Sequence, residues 1–111
     1  MILVGIVASS VALATPPSAP FLFGTKLLDA NSESQSVHDI GWTIPANNGS
    51  AITSYNIEYS PDNGNWGLYY NAGLTNSASL GADIGGEYYI RVRAVNAIGQ
   101  GAPSNSYYVS A

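Results

Sequence analysis

The chain has 111 residues, room for one domain with a single core. Charged residues make up 9% of it, against roughly 25% in an average soluble domain. Seven acids outweigh three bases (Lys26, Arg91 and Arg93), which excludes the cationic cluster a nucleic-acid footprint requires. The absence of cysteine excludes disulfides, a thiol nucleophile and cysteine-based zinc sites.

Apolar residues form 46% of the chain, too many for a disordered segment. The remaining polarity comes from Ser, Asn, Thr and Gly, which make a neutral, hydrogen-bonding surface of the kind found on extracellular and virion-surface modules.

The chain opens with MILVGIVASSVALATPPSAP. Ile2 to Ala14 carries no charge but is shorter than the ~20 apolar residues of a membrane span, so no span is expected. Two readings compete. As a secretion signal, Ala12-Leu13-Ala14 is a small-x-small cleavage site before Thr15, but no Lys or Arg precedes the apolar run. As a retained arm, Ile2, Leu3, Val4, Ile6 and Val7 favour a strand. Both faces of that strand are apolar, so it needs cover on each side. The missing positive charge favours the arm. Residues 1–15 are therefore assigned as an apolar arm, 16–20 as a proline-stiffened linker, and 21–111 as the folded domain.

From Phe21 onward short runs alternate apolar and polar residues, and Gly, Asn and Pro clusters separate them. Strands are expected over Phe21–Leu28, Ser36–Thr43, Thr53–Ser60, Gly67–Asn71, Ser77–Leu80, Glu87–Asn96 and Ser106–Ser110. Asn47-Asn48-Gly49 and Asp62-Asn63-Gly64-Asn65 favour positive φ and tight reversals. No stretch holds a helical period. Seven strands at this spacing point to an all-β, antiparallel two-sheet sandwich.

The clearest strand is EYYIRVRAVN. Tyr88, Ile90, Val92, Ala94 and Asn96 share one face; Tyr89, Arg91, Arg93 and Val95 share the other. The first set is core. The two arginines form the wet face, paired across strands with an acid such as Glu58.

From about Pro17 to its end the chain resembles a fibronectin type III domain. The likeness rests on PPSAP, on GWTIPANNGSAITSYNIEYSPDNGNW and on EYYIRVRAVNAIGQGAPS, in that order. It implies a seven-stranded sandwich with Trp42, Tyr55, Ile57, Tyr88, Ile90 and Val92 in the core. It also implies a tyrosine corner at Tyr88, whose hydroxyl bonds upstream backbone. The sequence departs from the pattern in three places. LGADIGGEY is shorter than usual and lacks proline. SVHDIGW carries an extra residue, so either His38 faces the core or a β-bulge at His38-Asp39 restores Val37; the bulge is favoured. NAIGQGAPS lacks Arg-Gly-Asp, so the integrin-binding motif does not carry over.

Catalysis has little to work with. His38, the single histidine, sits beside Asp39 on a strand, where neighbours point to opposite faces. The acids are scattered singly. DNGN at Asp62 lacks the further ligands of a calcium loop, so a hairpin turn is expected instead. No Gly-rich phosphate loop opens a helix. No catalytic residue, metal or cofactor is assigned. Asn48-Gly49-Ser50 fits a glycosylation acceptor only on a eukaryotic secretory route.

Binding and building remain. The adjacent pairs Tyr69-Tyr70 and Tyr107-Tyr108 place one ring of each pair outward, either as a recognition surface or as cover for sheet rims. The reading favoured is a non-enzymatic virion structural protein, a bacteriophage capsid-decoration or tail-associated protein. Its arm, Ile2, Leu3, Val4, Ile6 and Val7, would join capsid or neighbouring virion subunits or copies of itself. The alternative is a secreted bacterial adhesion or accessory carbohydrate- or cell-surface-binding module whose signal is cleaved.

Overall fold

A computed structural model describes residues 13–28, 35–83 and 86–110. The proposed arm residues Ile2, Leu3, Val4, Ile6 and Val7 lie outside the described residues.

The described residues form seven strands, β1 (Leu22–Leu28), β2 (Gln35–Trp42), β3 (Ile52–Ser60), β4 (Gly67–Gly73), β5 (Ser77–Asp83), β6 (Tyr88–Asn96) and β7 (Tyr107–Val109). They form two antiparallel sheets, ordered β1-β2-β5 and β4-β3-β6-β7. Strands β4 and β5 run further than the sequence pattern indicates. Their extra residues keep pairing partners, Gly73 opposite Tyr55 and Asp83 opposite Gln35. Local composition says little about such pairing, because the ladder is long-range.

Alternation along β6 is strict, buried at Tyr88, Ile90, Val92, Ala94 and Asn96 and half-buried between. The core joins these to Trp42, Tyr55, Ile57, Leu22, Ile40, Leu80 and Val109. Each large apolar side chain buried there stabilises the fold by roughly 1.5–3 kcal/mol. Trp42 and Tyr55 pack with ring centroids 5.6 Å apart, while the Trp42 Nε1–H finds no acceptor among the described residues. Both turn expectations agree with the backbone: Asn48 (φ 56°), Gly49 (φ 101°) and Asn63 (φ 61°) are left-handed.

The expected β-bulge at His38-Asp39 is absent. Strand β2 pairs in continuous register with both neighbours, and His38 faces the core, 2% exposed. A buried imidazole is tolerated there because both ring nitrogens are satisfied, Nδ1 by the Tyr107 hydroxyl at 2.8 Å and Nε2 by the Ser110 carbonyl at 2.7 Å.

The tyrosine corner forms despite the short, proline-free segment before it. The Tyr88 hydroxyl donates to the Gly81 carbonyl at 3.1 Å.

The stretch expected to be a linker lies against the sandwich. Thr15 and Ser18 donate backbone N–H groups to the Asn48 and Ala46 carbonyls, at 3.1 and 3.0 Å. The Asn48 side chain returns a bond to the Pro16 carbonyl at 2.8 Å. Pro17 and Pro20 are buried. The Pro17 carbonyl sits so close to Gly101 that any Cβ there would collide with it.

Candidate interaction surfaces

Three surfaces present chemistry. The first is the outer face of the four-stranded sheet. Register places Glu58 of β3 opposite Arg91 of β6. Glu58 Oε1 accepts from Arg91 Nε at 2.6 Å and from Arg93 Nε at 3.0 Å. Arg93 also donates Nη1 to the Gly101 carbonyl at 3.0 Å, and the Arg91 guanidinium lies over the Trp66 ring, 4.3 Å from its centroid. Burial pushes the Glu58 carboxyl up, but hydrogen bonds and charge from Arg93 and Arg91 outweigh it and hold the group below its ordinary value. Asn71 donates to Asn56, and Asn56 to Gln100, each at 2.8 Å. The arginines therefore pair with Glu58 as expected from the strand pattern, but on a half-buried face rather than a wet one.

The second surface is aromatic and lies around edge strand β4. Tyr69 contacts Tyr59, Tyr70 and Tyr88, with centroids 5.3–6.2 Å apart. Tyr69 and Tyr70 are both exposed. Register irregularities between β3 and β4 give β4 extra residues here, which lets adjacent tyrosines turn to one cluster. Burial is the main cause that pushes the Tyr88 phenol up to about 12; neighbouring Tyr69 adds to it. Tyr59 shares the parity of Tyr55 and Ile57 along β3, yet it joins this cluster. It is 38% exposed and packs on Tyr88, with ring centroids 5.3 Å apart.

The second tyrosine pair divides. Tyr107 turns inward to His38, and Tyr108 turns outward against Tyr89, with centroids 5.0 Å apart. A hydrogen bond to Glu87 is the first cause that raises the Tyr108 phenol. Strand alternation dictates this split but does not say which ring goes in.

The third surface is the outer face of the three-stranded sheet. Phe21 and Phe23 stack at 6.4 Å and remain more than half exposed. Asp39, Ile40, Ser77, Ala78 and Ser79 line an open depression of about 380 Å³ on this sheet, and Ser79 donates to Asp39 at 2.7 Å.

Asp62 is the turn residue anticipated at DNGN. Its Oδ1 accepts from the Gly64 and Asn65 amides at 2.9 and 2.8 Å. These bonds hold its carboxyl well below the usual range. Among the described residues no three acidic or histidine side chains converge as metal ligands, and no helix there is long and apolar enough to cross a membrane.

The fibronectin type III domain model matches residues 18–110. The sixth fibronectin type III domain of a human fibronectin type III domain containing protein 3 aligns at 22% identity. The alignment covers 91% of this chain and 90% of that one, with a TM-score of 0.65. The twitchin kinase region of C. elegans aligns at 24% identity over 86% of this chain and 17% of that one, TM-score 0.68. Titin kinase with its flanking domains aligns at 21% identity over 89% and 17%, TM-score 0.57. The chain thus spans about one sixth of the twitchin and titin chains but nearly the whole of the single human domain. Domains of this type are in general non-catalytic structural and binding modules that mediate protein–protein contact. The chain belongs to the fibronectin type III domain family.

Proposed function

We propose that this domain is a non-enzymatic structural and binding module of a virus particle, a bacteriophage capsid-decoration or tail-associated protein attached by residues 1–15. Its partners are capsid or neighbouring virion subunits and further copies of the chain.

The observation that carries this reading is the anchorage of the segment that follows the arm. Asn96 is buried at the end of β6, 3% exposed. Its Nδ2 donates to the Thr15 carbonyl at 2.8 Å and to the Asn47 carbonyl at 3.0 Å. Together with the Asn48 and Gly101 contacts, this ties residues 15–18 to the body of the sandwich. An arm joined there transmits load directly into the fold. The neutral, low-charge surface supports the same reading.

A secreted adhesion or accessory binding module is the second reading. The exposed Tyr59, Tyr69 and Tyr70 cluster favours it, since rigid aromatic rings bind neutral ligands at low entropic cost.

The intact mass of the protein purified from its natural source tests the proposal, with sedimentation against virus particles. A mass including residues 1–14, in the particle fraction, is the expected result. A mass starting at Thr15, or absence from the particles, overturns it.

A further inference from the structure

The chain contains two phenylalanines, and neither enters the core. Phe21 is 59% exposed and Phe23 is 52% exposed. Leu27, two pleats further along β1 on the same outer face as Phe23, is 44% exposed. This is an ordered arrangement. The two rings stack, and the Phe23 ring lies over Gly41 of β2, where a Cβ would come within 2.9 Å of it. An apolar stripe on a fold with a complete core marks a contact surface.

Among the described residues strand β1 is also a sheet edge. Both the amide and the carbonyl of Leu22 are taken by the Asn105 side chain at 2.8 Å, so they turn away from β2. Gly24, two residues on, turns the same way by the period of the strand. Its missing side chain accommodates the Tyr107 ring. A strand laid beside β1 meets backbone groups at Gly24, the Phe23–Leu27 stripe on its outer side, and the seam near Tyr107 on its inner side. It therefore needs apolar residues on both faces.

The chain carries one such segment. Ile2, Leu3, Val4, Ile6 and Val7 present apolar side chains on both faces and no charge. We infer that residues 2–7 of one copy add as a strand along the β1 edge of a second copy, covering Phe23 and Leu27. The source is a second copy because the segment between residues 8–13 and β1 is itself docked on the body, Thr15 and Ser18 on the Asn48 and Ala46 carbonyls, Thr15 also on Asn96, and Pro17 against Gly101, which holds it away from the β1 edge. Extended, residues 8–13 cross about 20 Å, enough to bridge neighbouring molecules. The arrangement is head-to-tail or reciprocal strand exchange. This inference rests on the proposal that the arm is retained and names its acceptor.

The test uses the full-length chain and two variants, Val4→Asp/Ile6→Asp and Phe23→Asn/Leu27→Asn, with mass measured by light scattering after size exclusion. The exposed positions of Phe23 and Leu27 keep the second variant folded, which its thermal melt verifies. Full-length protein is expected at twice the monomer mass or more, and each variant at the monomer mass. Mixing the two variants is expected to restore association, since one retains the acceptor and the other the arm. A monomeric full-length chain overturns the inference. So does a Phe23→Asn/Leu27→Asn variant that still associates, or a mixture that stays monomeric. None of these outcomes touches the virion reading, which is decided by mass and particle fraction of the natural protein.

Discussion

Tyr107 reaches between the sheets to place its hydroxyl 2.8 Å from Nδ1 of the buried His38. The Ser110 carbonyl, 2.7 Å from Nε2, can only accept, so Nε2 carries the proton in the neutral ring and Nδ1 accepts from Tyr107. Tyr107→Phe leaves a buried acceptor unpaired. It is expected to cost about 1–3 kcal/mol in urea unfolding.

Gly24 makes that contact possible, because a Cβ there would lie 2.7 Å from the Tyr107 ring. Gly24→Ala is expected to displace the ring and destabilise the domain by about 1–3 kcal/mol. In a Tyr107→Ala background the same change is expected to be nearly neutral. A double-mutant cycle measures the difference, and additive costs would refute the coupling.

Asn96 is predicted to hold the N-terminal segment. Asn96→Ala removes the bonds to the Thr15 and Asn47 carbonyls and those its Oδ1 accepts from the Ile98 and Gly99 amides. A loss of about 2–3 kcal/mol is expected, with faster hydrogen exchange at the Thr15 amide. Unchanged exchange at Thr15 would show that the segment is held by other contacts.

Stability should fall at both ends of the pH scale, for opposite reasons. Burial raises the Tyr88 phenol to about 12, so its contribution is complete below its ordinary value of 10.0 and is lost as pH rises toward 12. The size is about 2 kcal/mol, and Tyr88→Phe should reduce that limb by this amount, the remainder coming from the other raised phenols, Tyr55, Tyr70, Tyr107 and Tyr108. Glu58 is lowered, because its two arginine partners outweigh burial. Its contribution is present above its ordinary value of 4.5 and is lost as pH falls through the folded value. Glu58→Gln should shrink the acid limb, leaving the share that the lowered Asp62 carboxyl contributes, without altering the alkaline one.

The strands, the turns at Asn48 and Asn63, the six expected core residues and the Glu58–arginine pairing were legible in the chain. Alternation and turn chemistry act over a few residues, so they are written locally. The path of residues 15–18 was not legible. Pro16, Pro17 and Pro20 read locally as a stiff connector. Their docking depends on Asn96 and Gly101, some eighty residues away.

The same boundary runs through the surfaces. Neighbouring tyrosines must point to opposite faces unless a bulge intervenes, and sequence shows that much. Whether Tyr107 or Tyr108 turns inward depends on the space above Gly24 and on a partner at His38. The bulge expected at His38 failed for the same reason. Burying an imidazole is costly when it is unpaired and acceptable when both nitrogens are bonded. Short-range pattern thus determines which segments are strands and which residues can be core. Long-range packing decides which polar groups are buried, because their partners come from distant parts of the chain.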